Sequence, residues 1–532
     1  MKRAWFALAL ILIGSVVVGI AAGIPEKKNL KLGNAVFRGY LTSEPANLDP
    51  AKGVDVNEGI VQAKIFNGLL TYDENMKMVP DLAESWEVAE DGRTFNFHLR
   101  KDVRFHNGQP FSSKDVVFSF QRILAANTCS PRTWVFEKIV GSSEVMKGIA
   151  SEVVGIKVLD DYNIQICLSE PFAPFLSLLT MPAAFILPSG SASEIADGAF
   201  FEKPSGTGPF MIISRERDSH IKLAAYDGYH GSKPYISGIE YRVIPESMKA
   251  EMEFESGNID ILQLNPTNYE RFESRLENSG RVKDVPAMNV FYVGLNNQKP
   301  PFDDPKVRRA LNYLINRESI INAVFKGRGK AAHGSIPPGI LGYSDKLEGY
   351  GFNLKKGCEL LKEAGFSPEH PLKFDLYQKS SQSAFEITRL VQGELKKAGV
   401  SVNLRSMEWS ALKDAINKGE AEAFYLSWYG DYPDGENFLY PLFHSKNWGS
   451  GGNRSRYRNV KVDSMLDEAL KIQDPLKRAE AYQQVDRAVV EEAPWIYLWH
   501  LNETYLLGGN LEKMPFSPMF AFDKGISIKM HE

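Results

Sequence analysis

From residue 24 to residue 532 the chain contains no internal repeat, no low-complexity run and no linker rich in Gly, Ser or Pro. A chain of this length holds roughly two to four domains. With no tether available, those domains must be joined by short strands inside the fold, an arrangement that suits a hinge. Period-two alternation mixes with helical patterns along the whole length, which predicts an α/β class with mixed sheets.

Individual elements can be read locally. Phe95, Phe97 and Leu99 alternate with Thr94, Asn96 and His98, a strand with one face buried. Val153 to Val158 and Tyr162 to Leu168 flank Asp160-Asp161 and predict a hairpin. Asp304 caps a helix whose first position is Pro305, and Val307, Ala310, Leu311, Leu314 and Ile315 form its apolar face. Val462, Met465, Leu466, Ala469 and Leu470 repeat that spacing. The next helix begins at Asp474-Pro475, carries Ala479, Tyr482, Val485 and Val489 inward, and stops before Pro494.

The start of the chain reads as an export signal. Lys2 and Arg3 are basic, Ala4 to Ile20 is apolar and uncharged, and Ala21-Ala22-Gly23 supplies small residues for cleavage before Ile24. An uncleaved membrane anchor is the alternative. No cysteine follows the apolar run, so a lipid-anchored form is not expected, and the protein is expected in the periplasm. Beyond residue 24 no apolar stretch approaches the length of a membrane span.

Charge and cysteine content narrow the function. Lys plus Arg number 62 against 66 Asp plus Glu, which leaves no electrostatic footprint for nucleic acid. Cys129, Cys167 and Cys358 are the three cysteines. An oxidising compartment would permit one disulfide, with Cys129 and Cys167 the pair nearer in sequence. None has zinc-ligand spacing.

Signatures of catalysis are missing. There is no Walker-type loop, no Gly-x-Gly-x-x-Gly opening a helix, no Gly-x-Ser-x-Gly elbow and no His-Glu-x-x-His pair. Gly206-Thr207-Gly208 runs into Pro209-Phe210, an extended segment rather than a helix start. His98 and His106 fall in a strand and beside an Asn-Gly turn, which makes a shared metal unexpected. Asp303-Asp304 is explained as a helix cap. Neither enzyme chemistry, metal nor cofactor is expected.

Several separate motifs, in order along nearly all the chain beyond its first residues, resemble the bacterial extracellular solute-binding protein family 5. These are the binding proteins of ABC transporters for dipeptides, oligopeptides and nickel chelates. The motifs are LAESWEVAEDGRTFNFHLRKDVRFHNGQPF from Leu82, GTGPF at Gly206–Phe210, KPYISGIEYRVIP from Lys233, FDDPKVRRALNYLINRESI from Phe302, LLKEAGF from Leu360 and APWIYL from Ala493. The resemblance implies a two-lobe flytrap fold of the periplasmic-binding-protein type, with a hinge and an extra third domain. Lobe I would combine residues 24–70, 185–285 and 496–532, the extra domain residues 71–184, and lobe II residues 286–495. The two crossings between lobes are expected near Val285–Val293 and near Pro494–Trp499. The implied role is capture of a small peptide by a monomer and delivery to the permease subunits of a membrane transporter. A nickel chelate, haem or another small solute is the alternative ligand, and an exported peptidase the alternative activity.

Candidate ligand residues follow from the residues and the resemblance together. Phe424 to Tyr429 reads as an aromatic strand ending in Gly430-Asp431, and a carboxylate just past a strand end can meet a ligand ammonium in partial burial. In peptide-binding relatives the Asp of a W-x-x-D arrangement takes the ligand's α-amino group. Trp428 and Asp431 match it, with Tyr429 and Gly430 between, while Trp409 matches an upstream pocket aromatic and Asp434 a further acid. The bland alternative is that Asp431 orders the turn before Pro433. Val54, Asp55 and Val56, in the loop Gly53–Glu58, match main-chain ligand contacts from the first lobe. The segment Tyr377–Phe385 is shorter than in dipeptide binders and lacks their carboxylate-clamping Arg, which leaves longer peptides open.

Overall fold

The computed structural model describes residues 35–275, 280–519 and 523–531. The predicted signal, residues 1–23, lies outside them, as does the start of the first predicted lobe.

A four-stranded sheet opens the described chain, in the order Val36–Leu41, Gly238–Val243, His220–Ala225 and Phe210–Glu216. The first pair is parallel and the others antiparallel. Strict alternation along Val36–Leu41 sends Phe37 and Leu41 into a core shared with Ile221, Leu223 and Ile239. The helix Val56–Ile65 lies against this core. It starts at a capping box in which Asp55 accepts from the Asn57 amide at 2.8 Å and Glu58 reaches back to the Asp55 amide at 3.0 Å.

Glycine explains how that helix ends against the sheet. Gly208 donates its amide to the Ile65 carbonyl at 2.8 Å. A Cβ added at Gly206 would fall 1.9 Å from the same oxygen. The GTGPF motif is therefore a packing device, consistent with the sequence reading that rejected a phosphate cradle. His106 locks it from the neighbouring body. Its Nδ1 accepts from the Gly206 amide at 3.2 Å, which leaves the proton on Nε2 to bond the Gly208 carbonyl at 2.9 Å.

A second, antiparallel sheet follows the order Ala83–Val88, Thr94–Leu99, Asn163–Cys167 and Ile156–Asp160. The predicted alternation holds, with Phe95, Phe97 and Leu99 buried, and the hairpin forms, its turn at Asp161-Tyr162 one residue later than the expected Asp160-Asp161. The helix Ser113–Leu124 covers it, with Ser112 and Asp115 as its capping box. Its core also receives Tyr432 and Leu470 from far along the chain.

The third body is a mixed sheet in the order Ile261–Leu264, Trp495–Leu507, Asn289–Leu295, Ala423–Tyr429, Lys373–Lys379 and Ser401–Met407. Val282–Pro286 and Gly329–Ala331 also pair with Trp495–Leu507. Apolar cores fill both faces of its central part. The helix Pro305–Tyr313 is capped by Asp304 through the Lys306 amide at 2.8 Å, and all five residues of its predicted face are buried. Pro475–Glu492 ends where Ala493 turns left-handed ahead of Pro494.

Trp495–Leu507 changes partners along its thirteen residues. Residues up to Leu501 pair with Asn289–Leu295 and Gly329–Ala331, whereas Asn502 onward pair with Val282–Pro286 and Ile261–Leu264. The handover thus falls at Leu501–Asn502, later than the crossing expected near Pro494–Trp499, and Ile496 pairs with Val293 rather than opening the first-lobe tail. A continuous apolar strand carries no local mark of where its neighbour changes.

The cysteines are free. Cys129 closes an exposed turn after Ala126–Thr128 while Cys167 lies in its strand, so the disulfide considered from spacing does not form. Among the described residues no helix is long and apolar enough to cross a membrane.

Candidate functional site

The two places where the chain passes between strand sets, Pro286–Asn289 and Leu501–Asn502, flank a cavity of about 490 Å³. Ala287 and Met288 line it from the first passage, and Glu503 and Tyr505 from the second. Hollows of about 570 and 690 Å³ lie elsewhere, but neither touches these strands.

The loop before the helix Val56–Ile65 forms one wall. Buried Glu58 accepts from the amides of Asn47 at 2.9 Å, Val54 at 2.8 Å and Asp55 at 3.0 Å, so one carboxylate orders the whole loop. Asn57 ties it to Ser43 at 2.7 Å. The Asp55 carboxylate is engaged by the helix cap. Val54 and Val56 are left 60% and 53% exposed, and both line the cavity. Exposed apolar side chains on a preorganised loop offer a surface that a ligand can cover.

The opposite wall comes from the end of Ala423–Tyr429. Tyr429 is 54% exposed and lines the cavity with Gly430 and Asp431. The Gly430 amide bonds the Met288 carbonyl at 2.8 Å, and the Asp431 amide bonds Asn437 Oδ1 at 2.9 Å, which fixes where this turn points. The Asp431 carboxylate accepts no hydrogen bond among the described residues. Its one cation among the described residues is Arg132, Nη1 to Oδ1 at 3.9 Å. Burial in the cleft raises its pKa, and Arg132 pulls it partly back.

Three predicted residues lie away from this cavity. Successive side chains of a strand point to opposite faces, so with Tyr429 turned into the cavity Trp428 turns into the sheet's core, where its Nε1 is buried. Trp409 begins a helix beyond the edge strand Ser401–Met407 and lies under Lys413 at 5.2 Å. Asp434 is 2% exposed and occupied. It accepts from Arg478 at 3.3 Å and from the Glu436 amide at 3.0 Å, and it does not line the cavity. Val54, Asp55, Val56, Tyr429, Gly430 and Asp431 are the predicted residues brought together.

Sequence reasoning missed Arg132, Glu503 and Tyr505. Each lies on a different element from Asp431, and none stands in a motif that marks a ligand site. Arg132 donates from Nε to the Gly53 carbonyl at 3.1 Å while facing Asp431, so it touches both walls. Among the described residues no group of three or more His, Cys, Asp or Glu is placed to hold a metal ion.

Comparison with known proteins bears on this cavity. The family description "Bacterial extracellular solute-binding proteins, family 5 Middle" matches residues 77–450. The dipeptide-binding protein of Escherichia coli (strain K12) is 33% identical over 443 residues, covering 80% of this chain and 81% of that one. Heme-binding protein A of Haemophilus influenzae is 30% identical over 483 residues, 87% of this chain and 86% of that one. Among solved structures, the periplasmic murein tripeptide binding protein MppA in its unliganded open form superposes with a TM-score of 0.81 at 25% identity. The superposition covers 94% of this chain and 98% of that one.

Proposed function

Because this chain belongs to the family 5 bacterial extracellular solute-binding proteins, we propose that it is the substrate-binding component of an ABC importer, capturing dipeptides and longer peptides in the periplasm. The observation that carries the peptide reading is the Asp431 carboxylate, which opens into the cavity with no hydrogen-bond donor of its own. A peptide's α-ammonium supplies the missing donors and charge. The ordered loop Gly53–Val56 offers main-chain partners to the peptide backbone, and the exposed Val54, Val56 and Tyr429 offer apolar cover.

Capture on this reading needs no bond-breaking. Of the described residues, 35–70, 185–285 and the tail form one lobe, residues 71–184 an extra domain, and residues from 286 up to the handover at Leu501–Asn502 the second lobe. The passages at Pro286–Asn289 and Leu501–Asn502 are the hinge. A ligand that contacts both lobes shifts the population toward closure only by the difference in its affinity for the two states. The closed monomer is the form that membrane permease subunits would receive. Export would be directed by residues 1–23, with cleavage after Gly23. Similarity to a dipeptide-binding protein supports the ligand class, and similarity to proteins of transport rather than catalysis supports a role without turnover.

Partial unfolding strips carried ligand and makes the test clean. The refolded protein should melt at higher temperature with some members of a peptide library, the gain growing as RT ln(1 + [L]/Kd). No shift across the library rejects the reading. Native mass spectrometry of the untreated protein reads the mass of any carried ligand and separates a peptide from haem or a nickel chelate.

A further inference from the structure

Glu503 sits just past the handover, opposite Val285 in the sheet. Its carboxylate accepts a hydrogen bond from the Tyr505 hydroxyl at 2.5 Å. Tyr40 and Tyr429 line the same cavity as this pair. The Tyr505 hydroxyl is raised, by burial first and then by the Glu503 charge, and the same charge acts on the Tyr429 hydroxyl. The Tyr505 hydroxyl also feels Tyr40, so the three rings and the carboxylate are neighbours.

Among the described residues this carboxylate has no cation of its own in the cavity. Arg132 is the one Lys or Arg among the lining residues, and it is engaged with Gly53 and Asp431. Lys283 faces Tyr505 in the strand register but is exposed and does not line the cavity. A half-buried carboxylate lacking a countercharge attracts a cation through its charge.

We propose that Glu503, with Tyr40, Tyr429 and Tyr505, forms a second cation-reading position in the cavity and selects peptides that carry a basic side chain. This rests on the peptide reading above, with Asp431 holding the α-ammonium and Glu503 the side-chain ammonium or guanidinium. An acidic side chain at the same position would meet Glu503 unscreened and be disfavoured.

Tripeptides of alanine carrying lysine at each position in turn, and their norleucine counterparts, separate charge from chain length. Each is titrated calorimetrically into stripped protein with a free or an acetylated amino end. Wild type should bind one lysine peptide about tenfold more tightly than its norleucine partner. Glu503→Gln keeps an acceptor for the Tyr505 hydroxyl, so the fold should hold. It should abolish that preference while changing norleucine binding by less than about twofold. Asp431→Asn should keep the preference and lose the sensitivity to acetylation. Equal affinity of wild type for lysine and norleucine at every position overturns the proposal, as does an equal loss of both on Glu503→Gln. Acetylation sensitivity that disappears in Glu503→Gln but not in Asp431→Asn would seat the α-ammonium at Glu503 and also overturn it. If norleucine peptides bind without a lysine preference, only this inference falls; if no peptide binds wild type, the peptide reading falls with it.

Discussion

Arg132 Nη1 stands 3.9 Å from Asp431 Oδ1, while Arg132 Nε holds the Gly53 carbonyl at 3.1 Å. One guanidinium therefore links the two walls of the cavity, and it faces the carboxylate on which ligand charge is expected to fall. The contact with Asp431 is too long for a hydrogen bond, so it tempers the charge without occupying its acceptors.

A pH dependence follows from this geometry. Burial raises the Asp431 pKa above 3.8 and Arg132 opposes the rise. An ammonium is bound only by the ionised form, so affinity for peptides with free amino ends should decline as pH falls through the raised value. Arg132→Gln removes the opposing charge and should move that midpoint to higher pH. Asp431→Asn should cost free-ended peptides about 10- to 100-fold and flatten the pH profile. Calorimetric titration over a pH series checks all three.

Asp434 should behave as a structural residue. Asp434→Asn leaves Arg478 charged and buried without its partner, a change that costs about 3–5 kcal/mol. Denaturant unfolding should record that loss while the folded protein keeps its peptide affinity. A large drop in affinity at unchanged stability would restore Asp434 to the ligand site.

Glu436 supplies a test of stability against pH. Burial lifts its carboxyl from 4.5 to about 7, with the Tyr432 hydroxyl bond opposing and the Asp434 charge reinforcing. The unfolded chain releases this proton near 4.5 and the folded protein near 7. Glu436 therefore removes stability as pH rises through that window, up to roughly 3 kcal/mol. Glu436→Gln should gain on wild type across the same window and match it at the acid end. Buried His106, His230 and His500, held near 4, act in the opposite sense, but equally in both proteins. The difference in melting temperature isolates the carboxyl.

Two glycines should respond in opposite directions to the same change. Gly206→Ala drives a methyl into the Ile65 carbonyl and should cost about 3 kcal/mol or more. Gly393 is exposed inside the helix Gln382–Lys396 with nothing within 4 Å of an added Cβ. There alanine should add roughly 0.5–1 kcal/mol by restricting the unfolded chain. Denaturant midpoints for the two variants decide both.

Elements with a strong period were legible before any coordinates. The face Val307 to Ile315, the cap at Asp304, the alternation Phe95 to Leu99 and the stop at Pro494 all follow from short-range sterics and burial. Asp431 and Tyr429 were also legible as candidates because a strand end carries a local mark, whereas the loop Val54–Val56 was a candidate only through the family resemblance. Trp428 and Tyr429 were not separable in the sequence, because pocket aromatics and core aromatics have the same composition. The single step of pleat from Tyr429 decides between them.

By itself the sequence determined which segments alternate and which helices are capped. These properties depend on residues within one turn or one pleat of each other. Tertiary structure alone decided that Trp495–Leu507 changes partners at Leu501–Asn502 and that Arg132 meets Asp431 across about 300 positions of chain. It also decided that Glu503 stands in the same cavity without a cation of its own. Contacts at such separation are set by how whole sheets pack, and no local pattern encodes them.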